Sequence, residues 1–134
     1  MNLSFKLKKS PELVFDYLTD MQKYVSVHPV IYKIDKTSDD NYLVYETLKF
    51  MFIPFSFRYT VTVEANSADK VVVMCATVMK WTKIKMKFVL KKVDNSTVIG
   101  ENIEFKSPLP IKFLMRRIFR KQHAQLFENI EMKE

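Results

Sequence analysis

The sequence predicts an α+β fold in which a seven-stranded, curved antiparallel sheet wraps around a long C-terminal helix. Three observations predict it. Apolar and polar residues alternate with period two in six segments between residues 30 and 106. The links between those segments are short and polar, which makes neighbours antiparallel. A stretch with helical period follows Pro110 and runs to about Met132. At 134 residues there is room for one real core, so a single domain over 1–134 is expected.

Residues 2–7 read as a first strand, with Leu3, Phe5 and Leu7 on one face. Ser10-Pro11-Glu12 is a helix start, with Ser10 as N-cap and Pro11 at N1, where its missing N–H costs nothing. Val14, Tyr17, Leu18 and Met21 then follow the i, i+3, i+4, i+7 spacing of an amphipathic stripe, with Leu13 beside them. A second short helix covers about 22–27 and stops before Pro29. Strands are expected at 30–36, 42–50, 56–64, 70–79, 83–91 and 97–106. The fifth of these is the clearest: Ile84, Met86, Phe88 and Leu90 face in, while Lys83, Lys85, Lys87 and Lys91 face out. Placing the last helix at about 100° per residue gathers Met115, Phe119, Leu126 and Ile130 on one face, with Gln122 and His123 on or beside it.

Composition excludes several classes. A single glycine leaves no phosphate-cradling Gly-rich loop. The longest near-apolar run, 71–79, is too short for a bilayer span and reads as a buried strand, with the lone Cys75 as a small buried hydrophobe. Residues 1–7 alternate rather than opening an apolar leader, so a cytoplasmic setting is expected. The net charge of +7 is concentrated: residues 80–121 carry 12 basic and 3 acidic residues, the remainder 10 and 12. Lys83, Lys85, Lys87 and the Arg116, Arg117, Arg120, Lys121 cluster form either a solvated face or a contact for phosphate groups. Nucleic acid is not the expected partner, because the aromatics lie mostly on inward strand faces rather than between the lysines.

The segment Ser10-Pro11-Glu12-Leu13-Val14-Phe15-Asp16-Tyr17-Leu18-Thr19-Asp20, followed by His28-Pro29-Val30, resembles the opening of the START-like (SRPBCC) superfamily. That group has the helix-grip fold and includes the birch pollen allergen, polyketide cyclases and coenzyme Q-binding proteins. The resemblance implies two short helices after the first strand and an internal pocket for a lipid, quinone or polyketide-like molecule. Cyclase and hydrolase-like members make an enzyme the alternative, and a protein-interaction module is a third reading. The matching residues mark a helix start and its packing, so they carry no chemistry of their own.

Alternating hairpins sort the links onto two ends of the sheet. The turns at 39–41, 66–69 and 94–96 share one end and are polar. The segments 24–30, 50–55, 79–83 and 106–110 share the other, and they hold His28, Phe52, Ile53, Phe55, Trp81 and Leu109. This apolar end is read as a pocket mouth, with Lys80, Lys83, Lys106 and Lys112 near it. Aromatics beside lysines also suit a peripheral membrane contact.

His28, Glu46, Glu101 and His123 are the candidates for acid–base work, since a carboxylate on an inward face takes a raised pKa. The bland readings are a helix-ending His28, a partly exposed His123, and carboxylates turned outward or neutralised by a partner. Tyr45, Tyr59, Phe88, Met115, Phe119, Gln122 and His123 are the candidate ligand contacts. Metal-ligand spacings and cofactor motifs are absent from the sequence, so neither metal nor cofactor is expected.

Overall fold

The computed structural model describes residues 1–50 and 52–133, leaving out the side chain of Phe50. The chain runs β1 (Asn2–Leu7), α1 (Pro11–Thr19), α2 (Met21–Val27), β2 (Ile31–Ser38), β3 (Asn41–Phe50), β4 (Ile53–Asn66), β5 (Val71–Val78), β6 (Thr82–Val93), β7 (Ser96–Lys106) and α3 (Lys112–Glu131). All pairings are antiparallel, and the sheet order is β1-β7-β6-β5-β4-β3-β2. Strands β2 to β7 form the expected meander. The α1–α2 pair carries the chain from one edge strand to the other.

Local chemistry accounts for the helix boundaries. Ser10 Oγ accepts from Leu13 N at 3.2 Å and Pro11 occupies the first turn. Asp20 ends α1 and caps α2, its carboxylate accepting from the N–H groups of Gln22 and Lys23. The gripped end of α3 is tied at two points: Lys8 N donates to the Glu131 carboxylate, and Asn129 Nδ2 donates to Val27 O at 2.8 Å. Its start, Ile111, has no side-chain cap.

Long helix α3 is divided in its packing. The buried residues are Gln122, His123, Leu126, Phe127 and Ile130, all in the second half. The apolar ones belong to one core with Val14 and Leu18 of α1 and with Phe88, Ile99 and Ile103 of β6 and β7, and the Phe127 ring meets those of Phe5 and Phe88. The first half, 112–121, buries no side chain fully, and beneath it the sheet and helix stand apart.

Two expectations are corrected here. Cys75 is exposed, because β5 alternates: Met74 and Ala76 face in, and Cys75 sits on the outer face opposite Thr62 and Lys85. His123 is fully buried rather than partly exposed.

Candidate functional site

Between the first half of α3 and the curved sheet lies a cavity of about 950 Å³. Its walls come from inward positions of β3, β4, β5 and β6, such as Val44, Leu48, Val61, Met74 and Ile84, and from Met115, Ile118 and Phe119 of α3. Ile53, Phe55, Met79, Trp81, Leu109 and Leu114 also line it while remaining largely exposed, which places its opening at that end. Phe52 stands at the same end, 98% exposed, but does not line the cavity. Met51 and the Phe50 side chain, part of the expected rim segment, lie outside the described residues.

Polar groups cluster in the otherwise apolar wall. Glu46 is buried and accepts from Tyr59 OH at 2.8 Å through Oε1. Burial pushes its carboxyl above the ordinary range, opposed by the Tyr59 hydrogen bond and by His123. Tyr59 is pushed well up, first by burial and then by the Glu46 charge. Tyr24 also lines the cavity and is raised by burial.

His28 lines the cavity from the end of α2. Its Nδ1 accepts from Val30 N at 3.2 Å and Ile31 N at 3.1 Å. An Nδ1 that accepts two N–H bonds carries no proton, so the ring proton is on Nε2. Burial, with a smaller effect from His123, lowers the ring pKa to about 3.

His123 reaches the wall from α3, held between the rings of Phe88 and Phe119 at 6.0 and 5.3 Å. Its Nδ1 lies 2.7 and 2.6 Å from the two carboxylate oxygens of Glu101 on β7. One ring N–H cannot satisfy both oxygens, and Glu101 Oε2 has no other partner among the described residues. With Nδ1 committed, His123 addresses the cavity through Nε2. Glu101 sits behind the ring and does not line the cavity.

Seven of the expected ligand contacts and acid–base candidates therefore line the cavity: His28, Glu46, Tyr59, Met115, Phe119, Gln122 and His123. Three do not: Glu101, behind the His123 ring, and Tyr45 and Phe88. Tyr45 has the opposite strand parity to Val44 and Glu46; it lies on the outer face, 6.1 Å from the Tyr32 ring with Lys33 over it. Phe88 points inward but is fully buried beneath the gripped half of α3, against Phe127. Tyr42 and Tyr24 line the cavity and were not anticipated. Tyr42 shares parity with Val44 and Glu46, and Tyr24 follows Met21 by three on a helix, so both signals were present.

Among the described residues no group of three or more His, Cys, Asp or Glu side chains is placed to hold a metal. No helix among them is long and apolar enough to cross a membrane.

No protein-family model and no curated protein sequence matches this chain. Solved structures do match. A START superfamily protein from Mycobacterium smegmatis superposes with a TM-score of 0.76 at 14% identity, over 98% of this chain and 93% of that one. Ara h 8.0201 gives 0.76 at 14% identity over the same shares. The Zhui aromatase/cyclase from Streptomyces sp. R1128 gives 0.70 at 10% identity, over 98% and 90%. The chain thus has the START-like helix-grip fold, on a sequence far from any of these.

Proposed function

We propose that this protein, as a single domain over 1–134, binds and carries a hydrophobic small molecule in its internal cavity: a lipid, a quinone or a polyketide-like compound. The observation that carries the reading is the cavity, about 950 Å³ with largely apolar walls and a few converging polar groups. That is the size and character of small-molecule sites in general. The apolar, lysine-rimmed mouth supports loading from a membrane surface, and the free thiol of Cys75 suits a reducing, cytoplasmic setting.

Gentle purification followed by native mass spectrometry tests the proposal. A bound apolar species is expected, released by organic extraction and replaceable by titration. A protein that arrives empty, and whose melting temperature no alcohol, quinone, fatty acid or phospholipid raises, would end it.

One observation favours a second reading, an acid–base enzyme of the cyclase or hydrolase kind: His123, oriented by Glu101, faces the same cavity as Glu46. Covalent change in a bound polyketide-like ligand, lost in His123→Gln, would establish it.

A further inference from the structure

The polar cluster is asymmetric in what it offers a ligand. Glu46 Oε1 already accepts from Tyr59, whereas its Oε2 makes no hydrogen bond to a described residue and is not sealed within protein. A carboxylate has roughly four acceptor positions, so Glu46 calls for a further donor. His28 presents the reverse: with Nδ1 accepting two backbone N–H bonds, its Nε2–H is a donor facing the cavity. The Gln122 side chain, buried in the same wall, makes no hydrogen bond to any described residue and can supply both donor and acceptor. Polar groups left unpaired beside an apolar ligand weaken its binding, so a fitting ligand must answer them.

One group answers both needs with a single oxygen, and that is a hydroxyl. A carboxylate answers neither well. It brings acceptors only, and it sets a second carboxyl group against Glu46 in a largely apolar cavity, with Glu101 already behind the His123 ring. An ammonium could pair with Glu46 but would meet the His28 Nε2–H.

Resting on the reading that this cavity holds an apolar molecule, we propose that the ligand is an uncharged amphipath bound head first, its hydroxyl donating to Glu46 Oε2 and accepting from His28 Nε2–H or the Gln122 amide. Carboxylates and amines of the same chain are discriminated against. Lys49 and Lys121 lie in the wall, and a fatty acid held head outward against them is the competing arrangement.

The test is competition against a neutral fluorophore, N-phenyl-1-naphthylamine, by dodecan-1-ol, dodecanoate and dodecylamine near neutral pH. The alcohol is expected to displace the fluorophore at least about tenfold more tightly than either charged analogue, as befits one unpaired charged group. In Glu46→Gln the gap to dodecanoate is expected to close to about threefold or less, because the like charge is gone. Dodecanoate or the amine competing as well as the alcohol in the wild-type protein overturns the head-group assignment, whatever the variant does. If the fluorophore binds and all three displace it equally, the assignment falls and the cavity reading stands. If neither fluorophore nor any competitor binds, both fall together.

Discussion

His28 ends a helix and forms part of the cavity wall, and the first role fixes its protonation in the second. Burial, with a smaller effect from His123, lowers the ring pKa from 6.5 to about 3, and protonating Nδ1 would also break its two bonds to backbone N–H groups. The unfolded chain therefore takes up this proton first as the solution is acidified. Stability from this group is complete above about pH 6.5 and declines as pH falls toward 3. The slope is at most about 1.4 kcal/mol per pH unit. Glu46 acts in the opposite sense: its folded carboxyl is raised, so its contribution is present below 4.5 and lost as pH rises above that value. His28→Asn separates the two, because Asn Oδ1 can accept the same backbone N–H bonds and does not titrate. Urea unfolding between pH 4 and 6.5 is expected to show a slope shallower by close to one proton in the variant. An unchanged acid limb would place the titration elsewhere.

At the scale of elements, six of the described residues in and beside the hairpin turns have positive φ, none of them glycine: Asp40, Phe52, Lys70, Met79, Lys80 and Asp94. At the polar end, two of three are Asp, which tolerates this conformation. At the mouth they are Phe52, Met79 and Lys80, with φ of 72°, 53° and 67°. Residues of that size in left-handed backbone cost about 1–2 kcal/mol each. Met79 and Lys80 in succession call for the Asn-Gly pair of a tight hairpin. The double substitution Met79→Asn, Lys80→Gly is expected to raise stability by about 1 kcal/mol, read as a higher denaturant midpoint with unchanged slope. Were it instead destabilising, the Met79 side chain would be holding the mouth together rather than serving what enters it. These turns also show how far the sequence could be read. The strands, the Ser10 and Asp20 helix starts and the polar turns have local signals, and they lie within a few residues of expectation. The mouth turns have none, since they carry large apolar residues where turn residues belong. Strand parity placed Glu46 and Tyr59 on the inner face, and it would have placed Tyr45 outside and Tyr42 inside had it been applied to the tyrosines. It could not tell Phe88, which faces in under the gripped half of α3, from Ile84, which faces in under the open half. That distinction depends on where the helix lifts from the sheet, a property of packing between distant segments.

Taken whole, the molecule is polarised. Phe52, Ile53, Phe55, Met79, Trp81, Leu109, Phe113 and Leu114 are eight of the eleven large exposed hydrophobics among the described residues, and all sit around the cavity opening or on the first turn of α3. Lys49, Lys80, Lys83, Lys106, Lys112, Arg116 and Arg117 lie among or next to them in the chain and are exposed. Residues 105–121 contain no acidic side chain. An apolar patch of this kind marks a contact surface, and its basic surround fits an anionic membrane, where each Lys or Arg near the surface contributes about 1 kcal/mol. The same arrangement would set the cavity mouth against the bilayer from which an apolar ligand must come. Trp81 is the only tryptophan, 66% exposed at the rim, so it reports the contact directly. With vesicles of phosphatidylcholine and phosphatidylserine, its emission is expected to shift to shorter wavelength and strengthen. The effect should be much smaller with phosphatidylcholine alone and should weaken as salt is raised. Phe52→Asp is expected to reduce it severalfold without lowering stability, since Phe52 makes little contact with the rest of the protein. An emission spectrum indifferent to anionic vesicles, together with concentration-dependent dimerisation that Phe52→Asp and Trp81→Ala relieve, would assign this end to a second protein surface instead, and the cavity would then open only when that partner leaves.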